Sequence, residues 1–170
     1  MVALGFLLLT AIASLTHVEA FDRASGGPER PPDSCLVTRA PVRPFIPPVP
    51  YSALPESPDR FWFGTEALWV MPKADGTWHG LHTENGYRDK LFLWRRGYDG
   101  RVEQKPAVTI SAKRLDRPAP PYVVSRATNA YLPSGEWTML TGLDIPTLGC
   151  WELTAQYRGT TLQWVVWVVE

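Results

Sequence analysis

The stretch Ile145-Pro-Thr-Leu-Gly-Cys-Trp-Glu-Leu-Thr-Ala-Gln-Tyr-Arg-Gly-Thr-Thr-Leu-Gln-Trp-Val-Val-Trp-Val-Val-Glu170 decides the fold class. A Pro/Gly turn feeds an alternating run in which Trp151, Leu153 and Ala155 share one face, with Cys150 and Glu152 on the other. A short polar turn at Arg158-Gly159-Thr160 follows, and a β-branched, Trp-rich run ends the chain. Together they read as the closing hairpin of an antiparallel β-domain. The last run, residues 162–169, is apolar on both faces and is expected to be central. The chain is expected to end inside the fold, with no C-terminal tail or anchor.

Working back toward the N-terminus, residues 107–113 place Val108, Ile110 and Ala112 on one side and Thr109, Ser111 and Lys113 on the other, a half-buried strand. Residues 137–143 alternate in the same way. In residues 90–95, Leu91 and Leu93 face one side and Phe92 and Trp94 the other, a strand apolar on both faces. Residues 61–71 are aromatic and apolar, one or two short strands around Gly64. Residues 122–128 suggest an edge strand, and residues 78–88 read as a polar, Gly-containing loop. No run shows sustained helical spacing. The expected architecture is all-β, an immunoglobulin-like antiparallel β-sandwich of about seven to eight strands over residues 60–170.

Ten of the chain's 17 prolines fall between Pro28 and Pro58. Proline cannot donate to a sheet ladder, so this stretch is no central strand. Residues 35–59 read as an extended, Pro-rich N-terminal strap. Its apolar residues Val42, Phe45, Ile46, Val49 and Tyr51 suggest packing on the domain. Residues 21–34 are Gly, Pro and charge without period, a disordered linker. Before them, an apolar run over residues 2–15 and the small residues closing at Ala20 read as a signal peptide, residues 1–20. That run is short for a bilayer span, although an uncleaved N-terminal anchor is the competing reading. Export to the periplasm or the extracellular space follows, with no membrane span in the mature chain.

Two cysteines, Cys35 and Cys150, remain in a compartment that favours pairing, and a disulfide between them is expected. Two free thiols and lipidation of Cys35 are the rivals, but Pro32-Asp33-Ser34 lacks the apolar lead-in that lipidation needs.

The charge balance is 17 basic against 17 acidic residues, which leaves no electrostatic footprint for nucleic acid. His79 and His82 form a His-x-x-His pair, with Glu84 and Asp89 as nearby anions. They are weak candidates for a metal site, which needs three or four ligands. No Gly-x-Ser-x-Gly, phosphate loop or recognisable acid pair is present, so no catalytic residues and no cofactor are assigned, and the chain is expected not to be an enzyme. Of the eight tryptophans, Trp69, Trp94, Trp151 and Trp164 fall in strand-like runs and are expected in the core. Trp78 beside a turn and Trp167, opposite Trp164 in face, are the candidate binding surface, with the strap as possible cover for Trp167.

The segment Gly149-Cys-Trp-Glu-Leu153, with Ile145-Pro146 before it and Tyr157-Arg-Gly159 after it, resembles the closing hairpin of small immunoglobulin-like domains. Those domains occur in uncharacterised bacterial secreted proteins and lipoproteins. The stretches Cys35-Leu-Val-Thr-Arg-Ala-Pro41, Phe61-Trp-Phe-Gly-Thr-Glu-Ala-Leu-Trp69 and Tyr87-Arg-Asp-Lys-Leu-Phe-Leu-Trp-Arg-Arg-Gly-Tyr98 are similar to the same family. The resemblance implies an envelope setting and a sandwich fold, and it carries no reaction and no catalytic residues. The leading expectation is a non-catalytic exported module that binds protein. A carbohydrate-binding module using exposed Trp is the first alternative, and a small metal-binding domain through His79 and His82 is the second.

Overall fold

The structure is a computed structural model, and it describes residues 30–170. The expected signal segment and most of the expected linker lie outside the described residues. Eleven strands form two sheets, and among the described residues there is no helix that could cross a membrane. They are β1 (Phe63–Thr65), β2 (Leu68–Val70), β3 (Thr77–His79), β4 (Leu81–Thr83), β5 (Gly86–Trp94), β6 (Thr109–Arg114), β7 (Tyr122–Val124), β8 (Thr128–Tyr131), β9 (Trp137–Ile145), β10 (Gly149–Tyr157) and β11 (Thr160–Val169).

One sheet runs β1-β2-β5-β9-β8, with β4 also on β5; the other runs β3-β11-β10-β6-β7. Taking β5 to β11 as strands B, C, C′, D, E, F and G gives B-E-D in one sheet and G-F-C-C′ in the other, the immunoglobulin strand order. The closing hairpin pairs Tyr157 with Thr160 across Arg158 and Gly159, whose φ values of 46° and 77° fit a two-residue type I′ turn. At the other end of β10, Gly149 has φ of 130°, and a Cβ there would meet the Arg114 guanidinium at 2.5 Å. That guanidinium is buried against the Asp116 carboxylate and donates to the Leu148 carbonyl at 2.6 Å. The corner therefore tolerates only glycine.

Three departures from the expected architecture trace to short strands. The strand count exceeds eight, and residues 78–88 are not a loop: they hold the end of β3, all of β4 and the start of β5. The sheets are also not wholly antiparallel, because β3 runs parallel to β11, with Trp167 opposite Thr77 and Val168 opposite Trp78. Three-residue strands are too short to display a period, and a parallel pairing between residues so distant leaves no local turn signal.

The inner faces meet in one core. Leu68, Val70, Leu91, Leu93, Met139 and Leu143 from the first sheet pack on Ile110, Trp151, Leu153, Trp164 and Val166 from the second. Leu93, Ile110, Met139, Trp151 and Leu153 are fully buried. The disulfide that pins strand B to strand F in antibody domains is absent. Cys150 instead turns to the outer face of its sheet and bonds Cys35, with a Cα–Cα distance of 5.8 Å.

Residues 30–59 contribute no strand, and they wrap both outer faces. On the second sheet, Cys35 and Val37 bury Trp167 and Val169 beside Cys150. Thr38 there pairs with the free edge of β11: its N–H donates to the Val165 carbonyl at 2.9 Å, and its Oγ1 accepts from the Val165 N–H at 2.8 Å. On the first sheet, Phe45 and Tyr51 pack on Trp69 at centroid distances of 5.6 and 5.0 Å. The Tyr51 hydroxyl donates to the Arg95 carbonyl at 2.8 Å. Of the strap's apolar residues, Val42, Ile46 and Val49 face solvent rather than the domain. The strap touches the domain at intervals, and residues 39–44 between two such contacts are all exposed.

The bridge closes a loop of 115 residues, so the chain-entropy relation predicts stabilisation of about 5 kcal/mol. Replacing both cysteines by Ser should lower the unfolding free energy by about 2–5 kcal/mol in urea melts. Thiol titration of the unfolded, unreduced protein should find no free thiol.

Candidate functional site

Trp78 is a correction to the sequence reading: it is 8% exposed and belongs to the inter-sheet core, so it offers no surface platform. Alternation along β3 turns Trp78 inward and leaves His79 outside. Trp167 is 7% exposed beneath the strap. Trp69 and Trp94 are buried, but on the outer face under the strap rather than between the sheets. Trp151 and Trp164 lie between the sheets.

The two histidines make different contacts. The His79 ring nitrogen Nδ1 lies 3.2 Å from the Glu170 carbonyl oxygen, and His82 on β4 packs against Tyr87 at 5.3 Å. Asp89 accepts from the Lys90 N–H, and Glu84 sits in the exposed turn between β4 and β5. Among the described residues no group of three or more His, Cys, Asp or Glu is placed to hold a metal ion.

Trp78 and His79 do line a cleft of about 280 Å³ between the sheets. It opens because β5 loses its edge partner: β2 pairs with Leu93 and Trp94, β4 with Gly86 to Arg88, and residues 89–92 are left between them. Arg60, Lys73 and Lys90 stand at this cleft, and Trp164 forms part of its wall.

A second, smaller cavity of about 120 Å³ lies on the outer face of the first sheet, where the strap crosses it. Trp62 meets Trp94 edge to face at 5.0 Å, and Phe92 lies alongside Trp94 at 6.1 Å. Phe92 and Trp94 reach this face because β5 is apolar on both sides and alternation sends Leu91 and Leu93 inward. Ser52 and Glu56 come from the strap, and Ser134 and Glu136 from the turn before β9. The Trp62 indole N–H is buried and makes no hydrogen bond among the described residues.

Glu136 is 8% exposed among these rings. Burial pushes its carboxyl above the ordinary carboxylate range; Ser134 offsets this by hydrogen bonding, the Glu56 charge adds to it, and Trp94 offsets it slightly. Sequence reasoning missed this cavity because its walls come from four separated segments. The available signal was the outward pair Phe92 and Trp94, which needed a cover, beside an acid in a Gly-containing turn.

A third cluster is structural. Glu103 accepts from the Tyr157 hydroxyl and the Arg158 guanidinium, each at 2.6 Å. Burial and the Glu103 carboxylate push the Tyr157 phenol up to about 12.

No protein-family model matches the chain, and no curated protein or solved structure shows significant similarity to it.

The raised Glu136 carboxyl sets a sign for stability. The folded state holds the proton more tightly than the unfolded chain does. The corresponding stabilisation is complete below the unfolded value and is lost as pH rises through the folded one. Glu136→Gln should therefore melt higher than the parent protein at pH 7, and the gap should narrow on acidification toward pH 4. Thermal melts at both values check this, and a gap that widens on acidification contradicts it.

Proposed function

We propose that the chain is an exported, non-catalytic binding module that recognises protein through the outward side of its strap. The observation that carries this reading is the exposure of Leu36, Val42, Ile46, Val49 and Leu54, at 83, 102, 66, 90 and 75%. Exposed apolar side chains scattered singly are ordinary. These five share one segment that Cys35, Val37, Phe45 and Tyr51 anchor to the sandwich. A proline-rich backbone held this way loses little entropy on docking, and its missing N–H groups discourage indiscriminate edge pairing.

Export is supported by the apolar N-terminal run and by the Cys35–Cys150 bridge, which suits an oxidising compartment. The family resemblance of the closing hairpin supports a bacterial envelope setting. The carbohydrate reading loses its platform with the burial of Trp78 and Trp167. The metal reading finds no group of three or more His, Cys, Asp or Glu around His79 and His82 among the described residues.

In-cell crosslinking of the native protein, followed by mass spectrometry, should capture one reproducible protein. Changing Val42, Ile46 and Val49 together to Ser should abolish the capture and leave the circular dichroism spectrum unchanged. Capture that survives the triple change, or none at all, counts against the proposal.

A further inference from the structure

The cavity beside the strap has a definite electrostatic character. Its walls are the Trp62, Phe92 and Trp94 rings and the Met71 thioether; its polar groups are Glu56, Glu136, Ser52 and Ser134; and it contains no Lys, Arg or His. None of the ion pairs among the described residues involves Glu56 or Glu136. Glu136 is largely buried as a residue, and a carboxylate taken partly out of water with no cation beside it is costly to ionise. Aromatic faces carry negative quadrupole potential and attract cations, most strongly those of Trp. The lining as a whole therefore favours positive charge.

The size narrows the choice. About 120 Å³ lies well below the ~300 Å³ at which pockets for whole small molecules begin, so a head group or one side chain fits. A neutral sugar ring would leave Glu136 without a counter-charge. A bare calcium ion would find two carboxylates and two serine hydroxyls among otherwise apolar walls, short of the six to eight oxygen ligands it takes.

We propose that this cavity binds an alkylammonium group, with Glu136 as its buried counter-ion, the Trp62 and Trp94 rings as its walls and Glu56 of the strap at its rim. The group is supplied either by a small ammonium compound or by a lysine side chain. The proposal stands apart from the strap's exposed apolar residues, since it uses none of those side chains.

The test is a titration of the disulfide-intact, uniformly ¹⁵N-labelled protein with tetramethylammonium chloride and, separately, butylammonium chloride. Sodium chloride at equal ionic strength is the control. The indole N–H resonances of Trp62 and Trp94 should shift saturably, with a Kd of about 1 mM or tighter, while sodium chloride moves neither. Glu136→Gln should weaken binding at least about tenfold, the loss expected when one charge-assisted contact is removed. Because that variant should melt higher than the parent at neutral pH, misfolding would not account for the loss. Tighter binding of tetramethylammonium assigns a methylated head group; tighter binding of butylammonium assigns a primary amine such as a lysine side chain. Absence of a saturable shift with either cation, or binding unaffected by Glu136→Gln, overturns the proposal.

Discussion

Strands β5 and β11 are apolar on both faces, and the rest of the structure follows from how that is resolved. A sandwich buries one face of each sheet by packing the two together. Here that leaves Phe92 and Trp94 on one outer face and Val165 and Trp167 on the other. Bare aromatic surface of that extent would drive association. The strap removes it from water on both sides, with Cys35 and Val37 on one sheet and Phe45 and Tyr51 on the other. The molecule is thus layered strap, sheet, sheet, strap, and the disulfide holds the outermost layer to the start of β10.

The strap also finishes the sheet edge. In an immunoglobulin-type sandwich the last strand needs an edge partner or a guard against edge pairing. Along β11, Thr38 meets Val165, the Gly76 carbonyl accepts from the Trp167 N–H at 2.8 Å, and β3 takes over from Trp167 to Val169. Covering the face and the edge with one segment concentrates several duties in residues that form no strand. It also builds the aromatic cavity, because the crossing at Ser52 and Glu56 closes a hollow that the sheet alone would leave open.

How much of this was legible in the sequence depended on the range of the signal. The hairpin of β10 and β11, the alternation of β6 and the two-faced run of β5 are local patterns, and each survives in the structure as read. Cover by the strap is read for Trp167 alone; Trp94 is expected in the core, although the two-faced pattern of β5 asks for the same cover there. The Cys35–Cys150 pairing needed only two cysteines and an oxidising setting. What escaped were contacts between distant short segments. Trp78 looked exposed because a turn precedes it, yet β3 inserts it between the sheets by pairing with a strand some ninety residues later in the chain. Glu136 sits among rings from two other segments, and nothing within its own neighbourhood records that.

The central claim is that the strap is part of the folded core and not an appended tail. Native-state hydrogen exchange on the disulfide-intact protein tests it at Thr38 and Val165, whose backbone groups hold the strap to β11. If the claim holds, both amides exchange together and slowly, near the rate of global opening set by the β10 and β11 core. Free exchange at Thr38, with protection retained throughout β10 and β11, would show a strap that comes and goes from a domain able to stand without it, and would contradict the account.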